Sequence, residues 1–398
     1  MAVDAAEGAA AATSSAAPSV SHVPGLDGAR ALAALLVLVF HAAEATGQTA
    51  GGSQLAYALR PWGALGVSIF FVISGFLLYR PFVTAHLQGE PQPPIDRYLV
   101  RRALRIFPAY WLAFVVFVYV FGDPERTVQD LGDLVTLLTL QQGYDADKVL
   151  AGVPVAWTLT IEVTFYAFLP LFAVLPVVLA GRRASSREQL RIQLVSVAGL
   201  FVLATVIRFL LVDGGATLIG IFPAMADWFA AGMLLAVLRA WFDLGHEPPR
   251  VIRAVQRRPE LGLIPVALAY VGVLALRLEG GFTRMALGDH MARNALFVVI
   301  GVGLIGPLAL GASTRRPLLR ALGHPVVRWF GVVSYGVYLW HTLVIRELRP
   351  RLVDDLGMGT GFWPALVLTL AGTAVLAAVS WYVLERPIIN WGRRRERR

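Results

Sequence analysis

Two residues of the first apolar stretch, Leu26 to Thr46, could do chemistry where hydrocarbon resists polarity. Arg30 opens it and His41 lies well inside. Eleven positions separate them, almost three helical turns, so both side chains leave one face about 16 Å apart along the axis. Such a stripe suggests a charged entrance and a titratable group at depth. A snorkelling arginine and a histidine bonded inside a helix bundle account for the pair equally well.

Three more ionisable residues sit in apolar runs: Glu162 in WTLTIEVTFY, Arg208 near the end of a long apolar run, and His341 in SYGVYLWH. A histidine beside a carboxylate can take a proton from a hydroxyl, the carboxylate holding the imidazole. His41 is the first candidate base and Glu162 its orienting group. His341, Arg208, Ser74 and Tyr166 are second-line site residues. A polar cluster that merely clamps a bundle is the structural alternative.

A further feature is the run IDRYLVRRALRIFPAYW, in which Arg97, Arg101, Arg102 and Arg105 recur at helical spacings. Arginine clusters bind phosphate by charge and forked hydrogen bonds. A phosphate-rich ligand such as a coenzyme A thioester suits them, and so does anchoring to anionic lipid. No phosphate-binding glycine loop, dinucleotide fingerprint or HExxH motif occurs, so no metal or nucleotide cofactor is expected. The chain lacks cysteine, which removes thiol chemistry and disulfides.

The elements that must position these groups follow from composition. Of 398 residues, 57% are hydrophobic and 15% charged, with mean hydropathy +0.64. A soluble chain carries about a quarter charged residues. The expected fold is all-α, a polytopic membrane bundle. Ten runs reach or approach the length that crosses a bilayer: Leu26–Thr46, Trp62–Tyr79, Ala103–Phe121, Trp157–Leu179, Ile192–Leu211, Leu218–Leu238, Leu261–Leu276, Ala295–Leu310, Trp329–Ile345 and Phe362–Leu384. Gly66, Ser74 and Gly75 on the second permit close helix contact. Residues 1–23 read as a low-complexity tail without the basic start of a signal peptide. Residues 24–387 form the membrane domain and 388–398 a basic tail. Most of the 35 Lys and Arg residues fall in alternate loops, which puts both ends of the chain in the cytoplasm. That charge distribution serves membrane orientation, so nucleic acid is not an expected partner. In this topology His41, Glu162, His341 and Arg208 all come near one level of the outer leaflet.

In order, LDGARALAALLVLVFH, GVSIFFVISGFLLYR, RRALRIFPAYW, AWTLTIEVTFYAFLP, SYGVYLWH and the closing ERP resemble the motifs of the membrane acyltransferase-3 family. The resemblance covers essentially Leu26 to Pro387. It implies an integral membrane O-acyltransferase in a bacterial-type cell membrane. Such an enzyme moves an acyl group, often acetyl, from a cytoplasmic acyl-CoA to a hydroxyl of a sugar, glycan or glycosylated small molecule. It further implies that Arg30 and His41 are the signature pair, Glu162 the segment-four glutamate, and Arg102 and Arg105 the basic entrance. Arg30, Arg101, Arg102 and Arg105 are then the donor-holding residues. Some relatives append an extracytoplasmic hydrolase-like domain, whereas this sequence runs about a dozen residues past its last expected span. A transporter or flippase for a polar glycolipid is the rival reading; transporters often show repeated halves, and no such symmetry is visible.

Overall fold

The computed structural model describes residues 24–122, 124–181, 183–211, 221–278, 286–312, 316–350 and 361–396. The expected tail at 1–23, the start of the sixth span at Leu218 and several loop arginines lie outside them. Among the described residues the chain is helical throughout, and a helix stands at each of the ten apolar runs. These are α1 (Pro24–Ala45), α2 (Trp62–Gln88), α3 (Ile95–Val115), α4 (Trp157–Ala180), α5 (Ser186–Leu211), α6 (Phe222–Asp243), α7 (Leu263–Ala275), α8 (Leu287–Ala309), α9 (Ser334–Arg349) and α10 (Phe362–Val379). Eight of the corresponding helical units are long and apolar enough to cross a membrane. The segment holding α7 is bent by 114° at its start, and α9 is short, at 16 residues.

The middle of the molecule is α2, buried along most of its length. It crosses α6 at a pair of glycines. A side chain on Gly75 would collide with the Phe229 carbonyl, and one on Gly232 with the Val72 carbonyl. The two backbones therefore touch, as membrane helices do where small residues replace large ones. On its other side α2 meets α1, where Gly66 lies against the Ala33 carbonyl. The close contact expected of Gly66 and Gly75 is present.

Three expected spans differ in shape. The third continues past Val115 into a π-helical turn, Val116–Val120. The tenth continues through a second such turn, Ser380–Glu385, into a helix at Arg386–Arg395, so residues 388–395 prolong the span. The ninth is interrupted at Val333, between a short helix at Pro325–Val332 and α9. Just before the break Gly331 is pressed against the backbone of Asp27, where no side chain fits. Just after it Ser334 meets Arg30 of α1.

The polar stretch between α3 and α4 folds into short helices at Pro124–Thr127 and Leu131–Leu138. Asp130 caps the second, accepting from the Asp133 amide at 2.8 Å. Lys148 closes the loop onto Asp133. This loop dips into the bundle, since the fully buried Leu137 and Leu140 pack in the main core.

Candidate active site

Three cavities follow one another along α1. The first, about 730 Å³, is lined by Arg30, Arg101, Arg102, Arg105, Arg386 and Arg393 with Asp27. The second is a neck of about 50 Å³ between Arg30, Ser74, Glu162, Ser334, Tyr335 and Tyr338. The third, about 320 Å³, holds His41, Glu44, Arg208, Trp228, His290, Asn294 and Thr342. Arg30 belongs to the first two, and Val67 and Tyr338 to the last two. The Arg30–His41 stripe of the sequence is thus flanked by three cavities that share residues at their borders.

The arginines are not equivalent. Arg101 is tied to Glu396 by bonds of 2.8 Å from its Nε. Arg105 stands 3.6 Å from the buried Glu385 carboxylate and against the Tyr335 and Trp381 rings. Arg102 lies 5.9 Å from the Tyr166 ring centre, and its buried Nε has no hydrogen-bond partner among the described residues. Arg102 therefore has a buried donor to spare. Arg30 donates from Nε to Ser334, the first residue of α9, at 3.3 Å.

Hydrogen-bond partners fix the protons of the two histidines. His41 Nδ1 donates to the Val37 carbonyl at 3.0 Å, and His341 Nδ1 donates to that of Val337 at 3.2 Å. Both Nε2 atoms are then bare lone pairs. His341 Nε2 lies 3.4 Å from His41 Nδ1 and shares its proton. His41 lines the third cavity, and its Nε2 has no hydrogen-bond partner among the described residues. His341 is fully buried and does not line that cavity.

The expected contact of Glu162 with His41 does not form. Glu162 accepts from Ser74 at 3.2 Å and from Tyr166 at 2.6 Å, and no hydrogen bond joins it to His41 among the described residues. The reason is a difference in level. The first turn of α4 is already inside the bundle, where Thr158 meets the Tyr338 hydroxyl at 2.7 Å. His41's partner His341 is three residues further along α9, while Glu162 is four residues beyond Thr158 in the opposite direction. At 1.5 Å per residue, the two groups are offset by about 10 Å along the axes. Ser74 and Tyr166 thus belong with Glu162, and the groups hydrogen-bonded to the His41 ring are His341 and the Val37 carbonyl.

Arg208 is placed as expected in the cavity of His41, but Glu162 is not its counter-ion. Asp227 takes it with two bonds, at 2.6 and 2.7 Å, and Asn294 donates to the same carboxylate. Sequence reasoning missed Asp227, although an acidic residue inside an apolar run is itself a signal. It missed His290 and Asn294 because the eighth helix begins at Leu287, eight residues before its expected start.

The family model described as an acyltransferase domain matches residues 23–385. The chain belongs to this acyltransferase-3 family. Among its relatives is the exopolysaccharide production protein ExoZ of Rhizobium meliloti, 29% identical over 90% of this chain and 96% of that protein. The peptidoglycan O-acetyltransferase OatA of Listeria monocytogenes is 26% identical over 93% of this chain. The match spans 56% of OatA, so the chain corresponds to about half of that relative. The acyltransferase MdmB of Streptomyces mycarofaciens is 26% identical over 95% of both. No solved structure matches. All three cavities of this acyltransferase-family chain draw on α1 and α2, the first also on α3 and the second on α4 and α9, the helices that carry most of the motifs quoted above.

Proposed function

We propose that this chain transfers an acyl group, in the first instance acetyl, from acyl-CoA to a hydroxyl of a sugar, glycan or glycosylated small molecule. The observation that carries the reading is the succession of cavities from a cluster of arginines, through a narrow polar neck, to the bare Nε2 of His41. A coenzyme A thioester has that order of parts: a phosphate-rich nucleotide, a thin arm with two amides, and a reactive carbonyl at the tip. The arginines, Arg102 foremost, hold the phosphates. Arg30, Ser74, Glu162 and Ser334 line the arm and meet its amides. The thioester carbonyl reaches the third cavity.

There His41 Nε2 takes the proton of the acceptor hydroxyl as its oxygen attacks the thioester carbon. The carbon–sulfur bond breaks, the new ester forms, and the imidazolium returns its proton to the thiolate, releasing CoA. His341 and the Val37 carbonyl keep the His41 ring in the tautomer that leaves Nε2 free. The named activities of the relatives, peptidoglycan O-acetylation and exopolysaccharide production, support a carbohydrate acceptor.

Ten spans with both ends in the cytoplasm of a bacterial cell membrane are part of the same proposal. The arginine cavity then opens to the cytosol, where acyl-CoA is made. The deciding experiment supplies the purified full chain in lipid nanodiscs with labelled acetyl-CoA and a sugar. Acetyl ester on the sugar and one free CoA per ester are expected. Intact acetyl-CoA with every acceptor sinks the reading, and glycolipid export without acylation supports the transporter instead.

A further inference from the structure

The part of the His41 cavity formed by α6, α8 and α9 is more polar than the transfer chemistry needs. Three side chains there are more than nine-tenths buried and have an atom without a hydrogen-bond partner among the described residues: Trp228 Nε1, His290 Nε2 and Asn294 Oδ1. A fourth such atom is the Thr342 hydroxyl, one residue beyond His341. Buried polar atoms are paired as a rule, and unpaired ones gathered in a cavity call for a ligand that pairs them.

Their characters are fixed by what the same side chains do on their other edges. His290 Nδ1 accepts from Arg293 at 3.0 Å, so the ring proton sits on Nε2, a donor. Asn294 gives its amide nitrogen to Asp227, which leaves its carbonyl oxygen as an acceptor. Trp228 Nε1 donates only, and Thr342 does either. Arg208 and Arg293 line the same cavity but are engaged with Asp227 and His290, and the remaining set of two donors, one acceptor and one hydroxyl does not suit an anion, which needs donors alone. It suits a group of hydroxyls, each of which gives and takes. Trp157 and Trp228 add aromatic faces to the lining of the cavity, against which the C–H face of a sugar ring can lie. A volume of about 320 Å³ is at the small end of ligand pockets, room for a ring and not for a polymer.

We propose that Trp228, His290, Asn294 and Thr342 form the acceptor subsite, and that they take one hydroxylated ring whose free hydroxyl is held toward His41 Nε2. This rests on the acyl-transfer reading and names the part of the site that selects the acceptor. A ring with several hydroxyls satisfies the whole set, while an alcohol with a single hydroxyl leaves most of it unmade, which is the larger source of selectivity in such pockets.

The test uses the full chain in nanodiscs with acetyl-CoA and three probes: methyl β-D-glucopyranoside, methyl N-acetyl-β-D-glucosaminide and cyclohexylmethanol. Trp228→Phe and Thr342→Val each remove a hydrogen-bonding group with little change of shape. Each is expected to raise the KM of the preferred glycoside about tenfold, the worth of one hydrogen bond. The KM for acetyl-CoA should stay near its wild-type value. If Trp228→Phe does not fold, Thr342→Val alone carries the test. An unchanged glycoside KM, an equal rise for acetyl-CoA, or wild-type use of cyclohexylmethanol as readily as the glycosides overturns the subsite while leaving acyl transfer standing. Wild-type protein that turns over no acetyl-CoA with any probe overturns the transfer reading and the subsite with it.

Discussion

His341 Nε2 lies 3.4 Å from His41 Nδ1, and each imidazole gives its Nδ1 proton to the carbonyl four residues back on its own helix. Of the four ring nitrogens, the far nitrogen of His41 is the one without a partner among the described residues. His41→Ala should therefore lower transfer by about 10²–10⁴-fold, the usual worth of a general base. His341→Gln should also lower kcat, by loosening the ring of His41. The double variant should lose little more than His41→Ala alone, because both residues serve one step. Turnover of each variant at saturating acetyl-CoA decides the matter, and multiplying losses would separate the two residues.

The arginines should divide by their existing partners. Arg102 has a buried nitrogen to spare, whereas Arg101 and Arg105 already face Glu396 and Glu385. Arg102→Ala should raise the KM for acetyl-CoA more than Arg101→Ala does, with the acceptor KM little changed. The difference should shrink as added salt screens the phosphate contacts. Initial-rate kinetics at two ionic strengths read this directly. Equal effects on donor and acceptor would return the cluster to lipid anchoring.

Glu162 should act on the donor and not on the base. It sits in the neck with Arg30, bonded to Ser74 and Tyr166. Glu162→Gln should raise the KM for acetyl-CoA, and its loss should multiply with that of His341→Gln, since independent roles give independent penalties. A double variant no worse than either single would instead tie Glu162 to the histidine pair.

The sequence made the helices legible because apolar runs of bilayer length leave few alternatives, and the Arg30–His41 stripe because spacing on one helix is fixed by its pitch. What it could not show is how deep each helix begins. Glu162 and His41 look level when α4 is started at a membrane surface; the dipping loop that carries Leu137 and Leu140 inward moves Glu162 about 10 Å away. Nor could it pair charges across helices. Arg208 has several acidic residues to choose from in the sequence, and only packing selects Asp227. The late start assigned to the eighth helix hid His290 and Asn294, because Asp289 and Arg293 break the apolar run without breaking the helix.

Arg208 and Asp227 are both almost fully buried, so each neutralises a charge the other could not leave alone. Arg208→Ala should destabilise the fold by roughly 3–5 kcal/mol, the cost of leaving a buried charge unpaired. Replacing both, as Arg208→Met with Asp227→Leu, should recover part of that loss. Unfolding of the nanodisc-free protein in mild detergent would measure it. A double variant less stable than Arg208→Ala would show that the pair is worth more than its desolvation.

The loop before α4 should respond to pH at both extremes. Lys148 lies 2.5 Å from Asp133. That hydrogen bond is the main cause holding the Asp133 carboxyl below the usual carboxylate value of 3.8, helped by the Gln129 amide. The same bond is the main cause raising Lys148 above 10.5. A depressed carboxylate contributes stability that is complete above its unfolded value and lost as pH falls through the folded one; a raised ammonium contributes below its unfolded value and loses it as pH rises through the folded one. The pair is thus at full strength between 3.8 and 10.5 and fails outside that window. Amide exchange of the Leu131–Leu138 helix, corrected for the intrinsic effect of pH, should be flat inside the window and rise beyond it. Lys148→Met should move the acid limb of that rise upward, toward the ordinary carboxylate range, and remove the alkaline limb. An acid limb at the same pH in both proteins would show that Lys148 does not hold the loop.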